Sequence, residues 1–113
     1  MQTYYKTTLE DTLYDEDTAV LTYKINYPCI SSSFCSVQSI NDFYYREAKN
    51  SENYCRTILY QQALENAKDT QARPFNSYEF IIDFTVTYNE KCILSLYTDT
   101  YTYTGGAHGG TKQ

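Results

Sequence analysis

Hydrophobic and polar residues alternate most regularly between Tyr78 and Tyr88, where Phe80, Ile82, Phe84 and Val86 interleave with Glu79, Asp83, Thr85 and Thr87. Successive side chains of an extended chain point to opposite faces, so this stretch predicts a strand with one core face and one solvent face. A second alternation sets Ala19, Leu21, Tyr23, Ile25, Tyr27 and Cys29 against Val20, Thr22, Lys24, Asn26 and Pro28, and predicts a strand with the first set inward. The Thr- and Tyr-rich run from Lys91 to Thr104 also favours extended backbone, with Cys92, Leu94 and Leu96 on one face and Ile93, Tyr97, Tyr101 and Tyr103 on the other. Residues 4–14 alternate less cleanly and predict a weaker strand.

Between Val37 and Lys68 the period lengthens. Val37, Ile40, Tyr44, Ala48, Cys55, Ile58 and Leu59 recur at steps of helical spacing, and helix formers dominate after Ile58, so this segment predicts one long helix. Ser36 is placed to cap its start, and Pro74 cannot continue it. The polar Lys49-Asn50-Ser51-Glu52 section either bends the helix or faces solvent. All four glycines fall between Gly105 and Gly110, so the earlier turns rest on other residues: Asp15-Glu16-Asp17 joins one hairpin and Asn89-Glu90 a second. The order strand, strand, helix, strand, strand predicts an α+β two-layer sandwich, one long helix packed on an antiparallel sheet of about four strands. Its expected core joins Leu21, Tyr23 and Ile25 to Phe80, Ile82 and Phe84 beneath Ile40 and Ile58.

Length and composition narrow the function classes. A chain of 113 residues suits a single domain spanning 1–113 with one core. Hydrophobic residues at 42% and charged ones at 20% exclude an intrinsically disordered chain, and no apolar run is long enough to span a bilayer. The first residues lack the pattern of a signal peptide, so the chain is either cytoplasmic or has had its export signal removed. Nine basic against fourteen acidic residues give a net charge of -5 without a basic cluster, which excludes nucleic acid as a partner and favours encounter with a cationic protein.

Candidate chemistry is sparse. Cys29, Cys35, Cys55 and Cys92 include no Cys-x-x-Cys pair, and with a single histidine they make a poor zinc site, so no metal or other cofactor is expected. Disulfides and free buried thiols both stay open. A Cys35–Cys55 bridge is excluded, because one helix would hold those residues roughly 30 Å apart, far beyond the roughly 7 Å limit between bridged Cα atoms. His108 lies in Gly105-Gly106-Ala107-His108-Gly109-Gly110, which matches no nucleotide-binding loop. The glycines read first as a turn needing positive φ or close approach, with His108 as a ligand contact or a catalytic base the rival readings. Asp83 and Asp99 share the Thr/Tyr face of their strands and would need to face each other to act as a glycosidase pair. Asp15-Glu16-Asp17 has too few spaced oxygens for a calcium loop. Fourteen tyrosines and no tryptophan are the compositional excess, and Tyr97, Tyr101 and Tyr103 on one face either stack on a ligand or form cross-strand pairs.

The segment Ile93-Leu94-Ser95-Leu96-Tyr97, leading into Tyr101-Thr102-Tyr103-Thr104-Gly105-Gly106-Ala107-His108-Gly109, resembles domain-of-unknown-function family 4163. Tyr27-Pro28, Ile40-Asn41 and Phe80-x-Ile82-x-Phe84 extend the resemblance over residues 18–110. Similar domains occur in RsiV-like anti-sigma factors, whose extracellular part binds lysozyme, and at the front of PdaC-type peptidoglycan deacetylases, outside the membrane and apart from the catalytic unit. Members usually continue into a companion domain, family 3298, whereas this chain ends at Gln113; the resemblance ties lysozyme binding to both domains together and implies for this one a lysozyme-like protein or a cell-wall component as ligand.

The resemblance implies a non-catalytic, extracytoplasmic binding or sensory domain of a bacterial cell-envelope protein. Its expected partner is a protein or a cell-wall glycan, met through Tyr97, Tyr101, Tyr103, Gly105, Gly106 and His108. The alternative is an accessory or catalytic fragment of a peptidoglycan deacetylase or hydrolase. No direct membrane insertion is expected, and an exposed sheet edge suggests a weak homodimer.

Overall fold

The computed structural model describes residues 2–33, 36–68, 76–90 and 92–104, and the backbone of 109–112. Strands β1 (Gln2–Asp15) and β2 (Thr18–Ser32) are followed by helix α1 (Gln38–Tyr54), a π-helical turn (Cys55–Leu59) and α2 (Tyr60–Lys68), then by β3 (Tyr78–Glu90), β4 (Ile93–Tyr103) and β5 (Gly109–Lys112). The α+β arrangement is the expected one, with the sheet order β1-β2-β3-β4-β5. Two features of the sheet differ from expectation. The β2–β3 pair is parallel over Leu21–Ile25 and Tyr78–Ile82, because a helical crossover between neighbouring strands returns the chain to the same end of the sheet. The fifth strand comes from Gly109 and Gly110, expected in a turn, which pair as strand with Tyr103 and Thr102.

The less regular N-terminal run is a full strand, paired along its length with β2. Its turn falls at Asp15–Asp17 as expected, with Glu16 taking the positive φ of 55° in place of a glycine. The second turn lies later than Asn89-Glu90. Both of those residues belong to β3, and Cys92, expected on a strand face, adopts φ 68° in the turn. Asn89 instead accepts a hydrogen bond from Gln2 Nε2 at 2.6 Å, tying the start of β1 to the end of β3.

Leu21, Tyr23 and Ile25 are buried as the alternation requires, with Phe80 and Tyr78 opposite them. Beyond Ile25 the most buried residues of β2 are Asn26, Pro28 and Ile30, on the other face, while Tyr27 still packs against the core as expected. Burial of this second face begins where the β2–β3 ladder ends, and Asn26 seals the junction: it accepts from the Thr8 hydroxyl at 2.6 Å and donates to the Ile82 carbonyl at 3.0 Å. Ile82 is half-buried against the core, whereas Phe84 lies beyond the paired segment.

The helix packs Ala48, Cys55, Leu59 and Ala63 onto the sheet. Ile58, expected in the core, is 53% exposed, and Leu59 is buried in its place. The reason is the wide turn at Cys55–Leu59, which adds a residue to one turn and rotates the later residues about the axis. Within that turn the Thr57 hydroxyl bonds back to the Asn53 carbonyl at 2.7 Å, a contact of the kind that bends helices. The polar Lys49–Glu52 section runs through the helix without interruption. Ser36 does not cap the helix: Val37 occupies the N-cap and makes no side-chain capping bond. Pro74 lies outside the described residues.

Candidate functional site

A single helix cannot cover a whole sheet, and its small inward residues set it directly above β2. Its N-terminal end is fixed there by Asn41, whose Oδ1 accepts from Ile30 N at 2.7 Å while its Nδ2 donates to Ile30 O at 3.0 Å. The side-chain amide thereby completes the backbone pairing that β2 lacks on that side. One consequence is that the helix-facing surface of β3 and β4 has no second helix over it among the described residues. A groove of about 360 Å³ opens between that surface and the flank of α1.

Ile82, Phe84 and Leu96 line the sheet side of this groove, and Tyr27, Pro28, Phe43 and Tyr44 supply its aromatic and proline walls. Phe43 stacks edge-on against Tyr44 with centroids 5.2 Å apart, and Tyr27 does the same against Tyr45 at 6.1 Å. Burial pushes the Tyr44 phenol above its ordinary value, as it does that of Tyr27, so both hydroxyls are neutral donors near pH 7. Polar groups are few: the hydroxyls of Ser51, Thr98 and Thr100, the amide of Asn26, and the carboxylate of Glu47, the one charged lining residue among the described residues. Its volume is in the range of small-ligand pockets, roughly 300–1,000 Å³. Aromatic walls with a few hydrogen-bonding groups suit a ligand with both apolar faces and hydroxyls.

The opposite flank of the helix carries a polar cluster. The Tyr23 hydroxyl donates to Glu52 Oε2 at 2.7 Å, and Lys49 Nζ donates to Glu52 Oε1 at 2.6 Å. Arg56 lies 5.8 Å from the centroid of the Tyr23 ring and pairs with Asp11 at 2.5 Å. The Lys49 and Tyr23 hydrogen bonds hold the Glu52 carboxyl below the usual range, and burial followed by the Glu52 contact pushes the Tyr23 hydroxyl up to about 12. Both Glu52 oxygens are therefore engaged within the fold, and the cluster is a clamp joining helix to sheet.

Tyr97, Tyr101 and Tyr103 share one face of β4, as their spacing requires, opposite Thr85, Ile81 and Glu79 across the β3–β4 ladder. Leu96, Thr98 and Thr100 line the groove, so strand alternation places the three tyrosines on the other side of the sheet. Tyr97 is 51% exposed and the other two are half-buried. Gly105, Gly106 and His108 lie outside the described residues. Asp83 and Asp99 are brought directly opposite each other in the β3–β4 register. Lys6 lies 3.6 Å from Asp83 and offsets the like-charge contact. Of the groove residues on α1, the helical spacing placed Tyr44 and Ala48 on the inward stripe and did not single out Phe43 or Glu47. Phe43 gives the available signal, an aromatic off the inward stripe and 49% exposed.

Cys92 is in a disulfide, whereas Cys29 and Cys55 are free thiols, so the excluded Cys35–Cys55 bridge is absent. Burial raises the Cys55 thiol to about 12, and it acts as a core residue.

The family model described as Deacetylase PdaC matches residues 14–111, nearly the whole chain and every element from the end of β1 to β5. The chain belongs to the PdaC deacetylase family. This PdaC-family chain also resembles a crystal structure of a duf3298 family member from Bacteroides fragilis, with a TM-score of 0.64 and 20% sequence identity. The match covers 98% of this chain and 53% of that one, so the PdaC-family chain spans about half the length of the solved structure. At that identity the likeness shows a shared fold. No curated protein matches the sequence.

Proposed function

We propose that this PdaC-family chain is a non-catalytic, extracytoplasmic recognition domain of a bacterial cell-envelope protein, and that it holds a cell-wall glycan in the groove between α1 and the β3–β4 face. The observation that carries the reading is the groove itself: Phe43, Tyr44, Tyr27 and Phe84 offer ring surfaces to the C–H faces of a sugar, while Glu47, Ser51, Thr98 and Thr100 meet its hydroxyls. Membership of a deacetylase family associated with the cell wall supports the substrate class. The Cys92 disulfide supports an oxidising compartment outside the cytoplasm. The finer resemblance to family 4163 and RsiV-like sensors belongs to the same proposal, as does a companion family 3298 half of the kind named for the solved structure.

The test is titration with soluble peptidoglycan fragments, followed by tyrosine fluorescence, which the absence of tryptophan leaves unobscured. Phe43→Ala and Glu47→Gln alter exposed positions and leave the fold intact, and each is expected to weaken binding by about tenfold, the effect of roughly 1.4 kcal/mol. Tyr97→Ala, on the opposite face, is expected to have no effect. Loss of binding in Tyr97→Ala alone would move the site to the tyrosine face, and binding of a lysozyme-like protein without any glycan response would replace the ligand class.

A further inference from the structure

Strand β1 ends the sheet, and among the described residues no strand pairs with its outer side. Which of its backbone groups face outward follows from side-chain contacts. The Thr12 and Thr22 hydroxyls meet at 3.3 Å, and Thr8 bonds to Asn26 at 2.6 Å. Both are cross-strand pairs in the β1–β2 register, and such close side-chain contact marks the pairs that do not exchange backbone bonds. The amides and carbonyls of the even-numbered residues therefore point away from β2. Two further contacts agree: Thr12 N takes the Asp11 side chain as acceptor at 2.8 Å, and the Tyr14 carbonyl accepts from the Tyr60 hydroxyl at 2.6 Å. Those two contacts occupy the far end of the edge, which leaves Lys6, Thr8 and Glu10 presenting outward backbone groups.

We propose that this open segment pairs with the same segment of a second copy, antiparallel about a twofold axis at Thr8, to form a continuous two-copy sheet. Outward residues must face outward residues, and centring on Thr8 meets that condition while setting Lys6 of each copy opposite Glu10 of the other. The match of charge is what selects a second copy. Each chain carries a net charge of -5, so a register in which a cation of one copy meets an acid of the other is favoured over those that oppose like charges. Lys6 and Glu10 are both exposed, and the contact of Lys6 with Asp83 of its own chain is a solvent-screened one at 3.6 Å that leaves the ammonium able to meet Glu10 of the second copy as well. The ladder stops where Asp11 holds the Thr12 amide, a capped edge that limits pairing to a short segment and gives a reversible dimer in place of an open-ended fibre.

This surface is separate from the groove, and its test does not depend on the ligand. Sedimentation velocity over a range of concentrations reads the association of the unmodified chain. Lys6→Glu and Glu10→Lys each create like-charge contacts across the twofold axis, and each is expected to weaken association at least about tenfold. An equimolar mixture of the two variants restores both ion pairs and is expected to associate as the unmodified chain does, a recovery that a folding defect cannot produce. Hydrogen exchange on the unmodified chain provides a second readout, with the amides of Lys6, Thr8 and Glu10 gaining protection as concentration rises. A chain that stays monomeric up to about 1 mM overturns the proposal. So does a mixture that fails to associate, or a dimer whose protected amides lie elsewhere.

Discussion

Replacing Asn41 by Ala removes the side-chain amide that bonds the start of α1 to β2. The amide bonds both backbone groups of Ile30, a residue only 3% exposed, at 2.7 and 3.0 Å. Its loss leaves a buried N–H and a buried C=O without partners, and each such group costs about 1–3 kcal/mol. Asn41 is half-buried, so water reaches part of the vacated space, and the expected loss is at the lower end, about 2–3 kcal/mol in all. Urea denaturation followed by far-UV circular dichroism measures it as a lowered midpoint at unchanged slope. Asn41→Asp separates the two bonds: the carboxylate still accepts from Ile30 N but faces Ile30 O without a proton. Its deficit should shrink as pH falls through about 4, where the protonated acid donates again. Because the same amide positions Phe43 and Tyr44, Asn41→Ala should also weaken glycan binding. A stability loss below about 0.5 kcal/mol would refute the reasoning, since it would mean that Ile30 finds other partners freely.

The π-helical turn makes a sharp comparison of neighbours: Leu59→Ala should cost about 2–5 kcal/mol and Ile58→Ala well under 1 kcal/mol, and the reverse order in thermal or urea unfolding would show the helix phase to be wrong. Tyr23→Phe should cost about 1.5–3 kcal/mol near neutral pH, the worth of a hydrogen bond to a charged acceptor. Tyr23 is raised from 10.0 to about 12 in the fold, so the stability it contributes is complete below pH 10 and is lost as pH rises through about 12. The Phe variant should lack that alkaline slope. Glu52 is shifted the other way, so its contribution is present above the ordinary carboxylate value and is lost as pH falls through its lowered one. A Glu52→Gln variant with an unchanged acid limb of the stability profile would contradict the clamp.

The sequence determined the elements themselves. Strand alternation and helical spacing are local consequences of backbone geometry, so Leu21, Tyr23, Ile25 and Phe80 could be assigned to the core from their period alone. The parallel β2–β3 pair departs from the antiparallel expectation, because it follows only once the sheet order sets those two strands side by side across the helix. What depended on tertiary structure was every feature set by where one element lies over another. The second face of β2 becomes buried from Asn26 onward, where its ladder with β3 ends. Leu59 displaces Ile58 because one wide turn rotates the helix. The groove exists because Asn41 holds a single helix over β2 and leaves β3 and β4 uncovered beside it. Periodicity states which side of an element is buried. The lateral position of that element is decided by long-range hydrogen bonds and packing between residues far apart in the chain, and these leave no repeating pattern in the sequence.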